Sequence, residues 1–494
     1  MKYIFLLISL FTFNFLQAQV TGVVKDAAGE PIPGANVFWM NTTNGVTTNE
    51  DGNFSIHKPA RSHMLVVSFI GFENDTIHVD KGNQQLDIVL REGVELSEVN
   101  VVTRKLGTMK LRTSVMNEDM ISSAELTRAA CCNLGESFVT NPSVDVSYSD
   151  AATGAKQIKL LGLSGTYVQM MTENIPNFRG AAAPYGLGYV PGPWMQSIQV
   201  SKGSSSVKNG YESITGQINV EFKKPQLPEA DWVSANLFAS STNRYEANAD
   251  ATVKLSKRWS TSLLAHYENE TKSHDSNDDG FVDIPRVEQY NVWNRWAYMG
   301  DHYVFQAGIK ALHETRNSGQ IAHGNTPSHD LYEIGIKTNR YEAFTKNAYI
   351  FDKEKNTNLA LILQGTLHNQ DANYGRKLYD VDQSNFYASL LFETELSKQH
   401  SLSAGLSFNY DGYDQNYRLT NQAEEGLTKK FVKESVPGAY VQYTFNLNDQ
   451  LMLMGGIRGD YSSEYGFFVT PRAHVKYNPN EYLHFRLSAG KGYR

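Results

Sequence analysis

The sharpest chemical signal in the chain is a run of oxygen-bearing side chains at alternate positions. In "HDSNDDGFVDIP", Asp275, Asn277 and Asp279 are spaced by two, Gly280 permits a sharp turn, and Asp283 adds another carboxylate. Oxygen donors so spaced in a tight loop suit Ca2+. Arg286 stands where an EF-hand loop places its closing Glu, so the same residues also read as a solvated acidic loop. Ca2+ is a candidate ligand, and no cofactor is required. A second signal is "IPNFRGAAAPYGLGYVPGPWM", rich in Gly, Pro and aromatics and without periodicity. There Phe178, Arg179, Tyr185, Tyr189, Trp194 and Met195 supply aromatic faces, one cation and one thioether. Such groups suit an anionic or conjugated ligand, and packing against a neighbouring wall is the alternative. Cys131 and Cys132, with Met116 and Met120, offer soft sulfur for Cu(I), but adjacent residues on a helix do not face each other. His313, His323 and His329 give a weaker metal signal. There is no G-x-S-x-G, H-E-x-x-H or Walker loop, so the chain does not read as an enzyme.

These groups need a scaffold. At 494 residues, several domains are expected. The net charge of −7, from 45 basic and 52 acidic residues, lacks the basic stripe that nucleic acid would require. Lys2, the apolar run from Ile4 to Leu16 and a small-residue cut after Ala18 read as a secretory signal over 1–18. Residues 19–91 alternate Val-, Ile- and Phe-rich runs with turns at Asp26–Gly29, Pro31–Gly34 and Asp51–Gly52, which predicts a small antiparallel β-sandwich. Residues 92–104 form a strand-competent linker: Glu95, Leu96, Ser97, Glu98, Val99, Asn100, Val101 and Val102 could add to the edge of a partner's sheet. Residues 105–226 mix strand signals with a helix capped at Ser122/Ser123, an α+β pattern.

From 227 to 494 period-two alternation takes over. Leu402, Ala404, Leu406, Phe408 and Tyr410 share one face, as do Tyr303, Phe305, Ala307 and Ile309, and Leu483, Phe485, Leu487 and Ala489. About thirteen such segments reach the ~10 residues that a tilted membrane strand needs. Short connections at Ser256–Arg258, Gly300–Asp301, Asp352–Asn356, Ser397–His400, Asn448–Gln450 and Pro479–Glu481 alternate with longer polar ones near 271–289, 316–337, 371–383 and 414–430. Sorting of tight turns to one end and loops to the other predicts an antiparallel transmembrane β-barrel. The fold class is therefore mainly β: sandwich, α+β domain, then barrel.

Three sets of motifs carry a resemblance. "GVVKDAAGEPIPGANV", "TNEDGNF" and "VSFIGF" are similar to the carboxypeptidase-regulatory-like domain, which is non-catalytic. "KGSSSVKNGYESITGQINVEFKKP" resembles the plug of TonB-dependent outer-membrane receptors, and "GGIRGDYSSEYGFFVTPRAHVKYNPNEYLHFRLSAGKGYR" resembles their barrel. Leu161–Gly162 stands where that family usually has Arg-Gly, and Glu173–Asn174 where it has Asp-Gly. The resemblance implies an outer-membrane protein reached through its signal peptide. It also implies a TonB box at 95–102, the TonB–ExbB–ExbD complex as partner, and lipid around the barrel. The cargo it implies is a bulky solute, a metal chelate ranked ahead of a glycan or cobalamin. A surface receptor or adhesin barrel without transport is the other reading. Such barrels have about 22 strands, so about thirteen read as a C-terminally truncated barrel.

Overall fold

The computed structural model describes residues 19–26, 29–40, 45–49, 51–59, 63–69, 72, 75–79, 85–90, 108–111, 114–129, 132–139, 141–225, 232–321, 331–420, 426–448, 450–480 and 483–494. The proposed signal, the segment 95–102, Cys131, His323 and His329 lie outside them. The chain divides into two compact units, one ending at residue 103 and one beginning at 104.

The first unit holds β1 (Gln19–Lys25), β2 (Asn36–Trp39), β3 (Gly45–Thr47), β4 (Asn53–His57), β5 (Met64–Ser68), β6 (Asp75–His78) and β7 (Gln85–Val89). They form two sheets, β4-β1-β7 and β3-β2-β5-β6, closed on a core that includes Val24, Val37, Trp39, Ile56, Leu65, Val67 and Ile88. One pairing departs from the antiparallel expectation. β7 runs parallel to β1, because the chain crosses the other sheet before it returns to that edge.

The second unit begins with β8 (Thr108–Lys110), β9 (Asn117–Ser122), α1 (Ser123–Arg128), β10 (Val144–Asp150), β11 (Ala155–Leu160), β12 (Val168–Thr172), β13 (Ile175–Pro176), β14 (Met195–Lys202) and β15 (Gly216–Phe222). The central sheet has the order β13-β12-β15-β14-β9-β8. The predicted helix forms, with the Glu125 N–H donating to Ser122 Oγ at the N-cap, but it spans only six residues. "NEDMIS", up to the cap, is strand, paired with β14 over Asn117–Ser122.

Thirteen strands follow: β16 (Trp232–Ala239), β17 (Arg244–Lys254), β18 (Trp259–Glu270), β19 (Arg286–Met299), β20 (Tyr303–Gly319), β21 (Glu333–Asp352), β22 (Thr357–Tyr374), β23 (Lys377–Ser397), β24 (His400–Arg418), β25 (Thr428–Leu447), β26 (Leu451–Ser462), β27 (Gly466–Asn480) and β28 (Leu483–Gly490). Each pairs antiparallel with the next, and β16 and β28 are the unpaired ends of an open sheet. Ile309, Leu406, Phe467 and Leu487 are exposed on the outer face. Aromatics form two outer rows, with Tyr245, Tyr290 and Tyr341 toward the long-loop end and Trp259, Tyr303, Tyr349 and Tyr477 toward the short-turn end. From Tyr341 to Tyr349 is about 26 Å along the strand, or about 20 Å after a ~40° tilt, near the apolar band of outer-membrane barrels. The inner face is polar, as expected for a barrel lumen: Gln289, Asn291, Arg295, Glu314, Thr338, Arg340 and His368 are all buried there.

The loop expected at 371–383 is absent. β22 runs to Tyr374 and β23 starts at Lys377, so Gly375–Arg376 makes a two-residue turn with Gly375 at φ 60°. Past the upper aromatic row the outward face turns polar (Asn369, Asp371, Asp382) while Ala372 and Val381 are buried on the inward face, which removes the apolar-outward alternation while the backbone ladder continues.

Candidate functional site at the seam of plug and barrel

The central sheet's domain, the plug, lies against the inner face of the thirteen-stranded sheet. Its core is apolar: Trp194, Tyr189, Phe222, Ile198 and Leu160 are fully buried and meet Trp293 and Leu312 from the wall. Burying each such side chain contributes about 1.5–3 kcal/mol. Around this core the contacts are ionic. Arg295 reaches Glu173 at 2.5 Å and donates to the Lys223 carbonyl at 2.7 Å. Lys346 stands 3.7 Å from the other Glu173 oxygen. Arg340 donates to Asn177 Oδ1 at 2.6 Å, while Asn177 Nδ2 donates to Glu342 at 2.8 Å. Arg316 donates to the Thr153 carbonyl and lies over the Tyr185 ring.

Toward the long-loop end the seam opens into a cavity of about 270 Å³. The hairpin β10–β11 lines it with Tyr148 and Lys156, and the wall lines it with Arg244, Glu268, Glu270, Glu314 and Arg316. Arg244 is shared by Glu136 of the plug (2.8 Å), Glu246 (2.6 Å) and Glu268 (2.9 Å). Arg316 pairs with Glu314 at 3.0 Å. The Lys156 ammonium sits 5.5 Å from the Tyr148 ring centroid. Flat rings beside fixed charges of both signs can orient a polar solute without any bond being made or broken.

Of the six residues singled out in the Gly- and Pro-rich segment, five are packed away. Phe178, Tyr185, Tyr189, Trp194 and Met195 belong to the buried core, and Tyr185 alone of the six also lines the cavity. Arg179 bridges Glu212 (2.8 Å) and Asp411 (3.1 Å). These positions join plug to wall, the packing alternative for that segment. In the acidic loop, Asp275 accepts from the N–H groups of Asp279 and Gly280, Asp279 accepts from Phe281, and Asp283 accepts from Ser276. The Ser276 N–H holds the Asp283 carboxyl below the usual carboxylate range. Asn277 Nδ2 donates to Asp279. Among the described residues no three His, Cys, Asp or Glu side chains converge as a metal site. Cys132 is buried, and His313 pairs with Asn339.

The wall charges were not singled out from sequence, yet a signal exists for them. Arg244/Glu246, Glu314/Arg316, Arg340/Glu342 and Arg458/Asp460 are opposite charges two residues apart, hence on one strand face, and each forms an ion pair.

Family comparison agrees with this architecture in order along the chain. Residues 20–102 match the CarboxypepD_reg-like domain, residues 110–217 the TonB-dependent Receptor Plug Domain, and residues 336–494 the "TonB dependent receptor-like, beta-barrel". The first match runs through the segment 95–102. The chain is 28% identical to the TonB-dependent receptor SusC of Bacteroides thetaiotaomicron over 245 residues, which is 47% of this chain and 24% of that protein. Among solved structures it is similar to the siderophore receptor PirA from Acinetobacter baumannii (TM-score 0.63, 15% identity, 78% of this chain and 62% of that one). It is also similar to the alcaligin outer-membrane receptor FauA from Bordetella pertussis (TM-score 0.59, 15% identity, 76% and 63%). The chain thus spans about a quarter of that curated relative and under two thirds of those solved chains.

Proposed function

We propose, from the premise that this chain carries the leader, plug and barrel domains of the TonB-dependent receptors, that it serves energy-coupled import of a bulky solute across the outer membrane. The observation that carries this reading is the plug docked inside the sheet by ion pairs and polar contacts, which can be broken and remade, around a small apolar core. In this reading the solute binds at the long-loop end, where the cavity opens. TonB, energised by ExbB–ExbD, engages Glu95–Val102, and the plug rearranges. The lipid belt lies between the two aromatic rows. No covalent step is involved, and the matched families are receptors. The finer reading is a metal chelate, supported by the likeness to a receptor whose name specifies siderophores.

The test is deletion of residues 95–102 in the full-length protein, followed on a deletion strain supplied with ferric siderophores, haem, cobalamin and oligosaccharides in turn. The expected result is growth rescue by an iron chelate with the intact protein only, with surface binding retained in the deletion. Rescue by a glycan or cobalamin would move the substrate; uptake undiminished by the deletion would overturn the coupling.

A further inference from the structure

One strand of the plug is fixed to the wall at both of its ends. β15 is central in its sheet, between β12 and β14, and all seven of its residues are buried. Before it lies the segment 203–215. There the guanidinium of Arg472, on β27, donates to five plug acceptors: the Ser205 carbonyl (3.2 Å), Ser205 Oγ (3.2 Å) and the carbonyls of Ser206 (3.1 Å), Tyr211 (3.1 Å) and Ser213 (3.3 Å). Its sixth bond goes to the Lys491 carbonyl. Arg472 is 3% exposed and makes no ion pair among the described residues, so its hydrogen bonds go to main-chain oxygens and the Ser205 hydroxyl. Ser206 Oγ also donates to Gln442 (2.6 Å), and Lys208 lies 3.4 Å from Glu393. After β15, Arg295 holds the Lys223 carbonyl at 2.7 Å and Asp250 holds the Lys223 ammonium at 2.9 Å.

The opposite edge of the same sheet is built lightly. Among the described residues β8 pairs with β9 at three positions. Behind it, Arg486 holds the carbonyls of Leu111 and Ser114 at 3.0 and 3.4 Å, and Val115 packs on Met452 and Met454. A pull from the N-terminal side therefore meets a short edge strand and two bonds first, and the five-bond clamp last.

We propose that β15 and the segment 203–215 form a stationary template, fixed by the positioning residue Arg472, from which the rest of the plug can be peeled and onto which it refolds. This rests on the import reading only in supposing that the plug moves.

The test needs no substrate, so it stands or falls separately from that reading. The full-length protein in membranes is pulled by a handle inserted at Gly93 and then relaxed, cycle after cycle. The expected plug extension is roughly 300 Å, the contour of residues 108–202 at ~3.3 Å each, with recovery on relaxation. Arg472→Met should add roughly 65 Å, for residues 203–222, and abolish recovery, with the first rupture force at β8 unchanged. A disulfide in Val207→Cys/Gly456→Cys should restore the wild-type length and recovery to Arg472→Met, because a β-carbon at 456 would stand 2.5 Å from Val207 Cγ2. Wild-type extension through residue 222, wild-type recovery in Arg472→Met, or failure of the disulfide to rescue would each overturn the proposal.

Discussion

At the scale of single residues, Glu173 and Asn174 show how an unfavourable backbone is tolerated. Both lie in the left-handed region, at φ 50° and 62°, in the two-residue turn between β12 and β13. Asp-Gly would fit such a turn with less strain, since glycine has no Cβ to clash. Glu173 provides something a shorter acid would not, a carboxylate that reaches both Arg295 and Lys346 on the wall. Arg295 is 1% exposed, and losing one partner of a buried pair costs about 3–5 kcal/mol. Glu173→Gln should therefore lower the stability of the plug by about 3 kcal/mol, read by thermal melting of the fluorescence of Trp194 and Trp293. A loss below about 1 kcal/mol would mean that the pair is incidental. Leu161 and Gly162, the other departure from the resembling family, also sit at positive φ, and Leu161 is 61% exposed. Nothing in the structure explains a leucine there.

At the scale of elements, legibility follows burial contrast. Where one strand face meets an apolar surrounding and the other a polar lumen, alternation is complete, and the outward faces of β20, β24 and β28 were readable residue by residue. Where β22 and β23 climb past the upper aromatic row, the outward face turns polar and the apolar-outward pattern disappears, which is why Gly375–Arg376 was hidden inside an expected loop. The helix was readable at its cap, Ser122, but not in its length, since it stops at Arg128 with Ala129 as its C-cap. The cavity was the least legible feature. Its lining comes from β10, β11, β17, β18 and β20, brought together by docking that no local pattern encodes. The aromatic segment was visible as a contact surface, while the sign of its role depended on which side of each ring the wall occupies. The outward face gives its own test. Ile309 is 70% exposed in mid-strand on β20. On a water-facing sheet, Ile309→Arg would be nearly neutral. Facing lipid it should cost about 2–4 kcal/mol, measured by denaturant titration of folding into lipid vesicles.

At the scale of the whole molecule, the inner wall and the plug divide their work. The wall contributes fixed charges in same-face pairs, and the plug contributes its own charged side chains (Glu136, Glu173, Arg179), main-chain oxygens and one apolar core, so the joint is held by directional contacts. The four arginines of the barrel-like motif run, Arg458, Arg472, Arg486 and Arg494, all turn inward. Arg472 and Arg486 grip plug carbonyls, Arg494 pairs with Glu212, and Arg458 braces Asp460 on the wall between them. Those motifs therefore describe a socket.

The height of the sheet bears on how the molecule meets its surroundings. β20 to β25 run 17 to 21 residues, well beyond a lipid crossing, and one hairpin ends in a turn of two residues. In the import reading proposed above, what projects from the cell is hydrogen-bonded ribbon over much of its rim, a poor substrate for proteases, which must thread an extended chain. Surface shaving of intact cells with trypsin should nick after Lys272, an exposed residue outside any strand, and spare Arg376 in its two-residue turn; peptides ending at Arg376 in the digest would show that the rim is softer than its ladder implies. An antibody raised against this rim would read the paired ribbon and lose its target once the ribbon is unzipped.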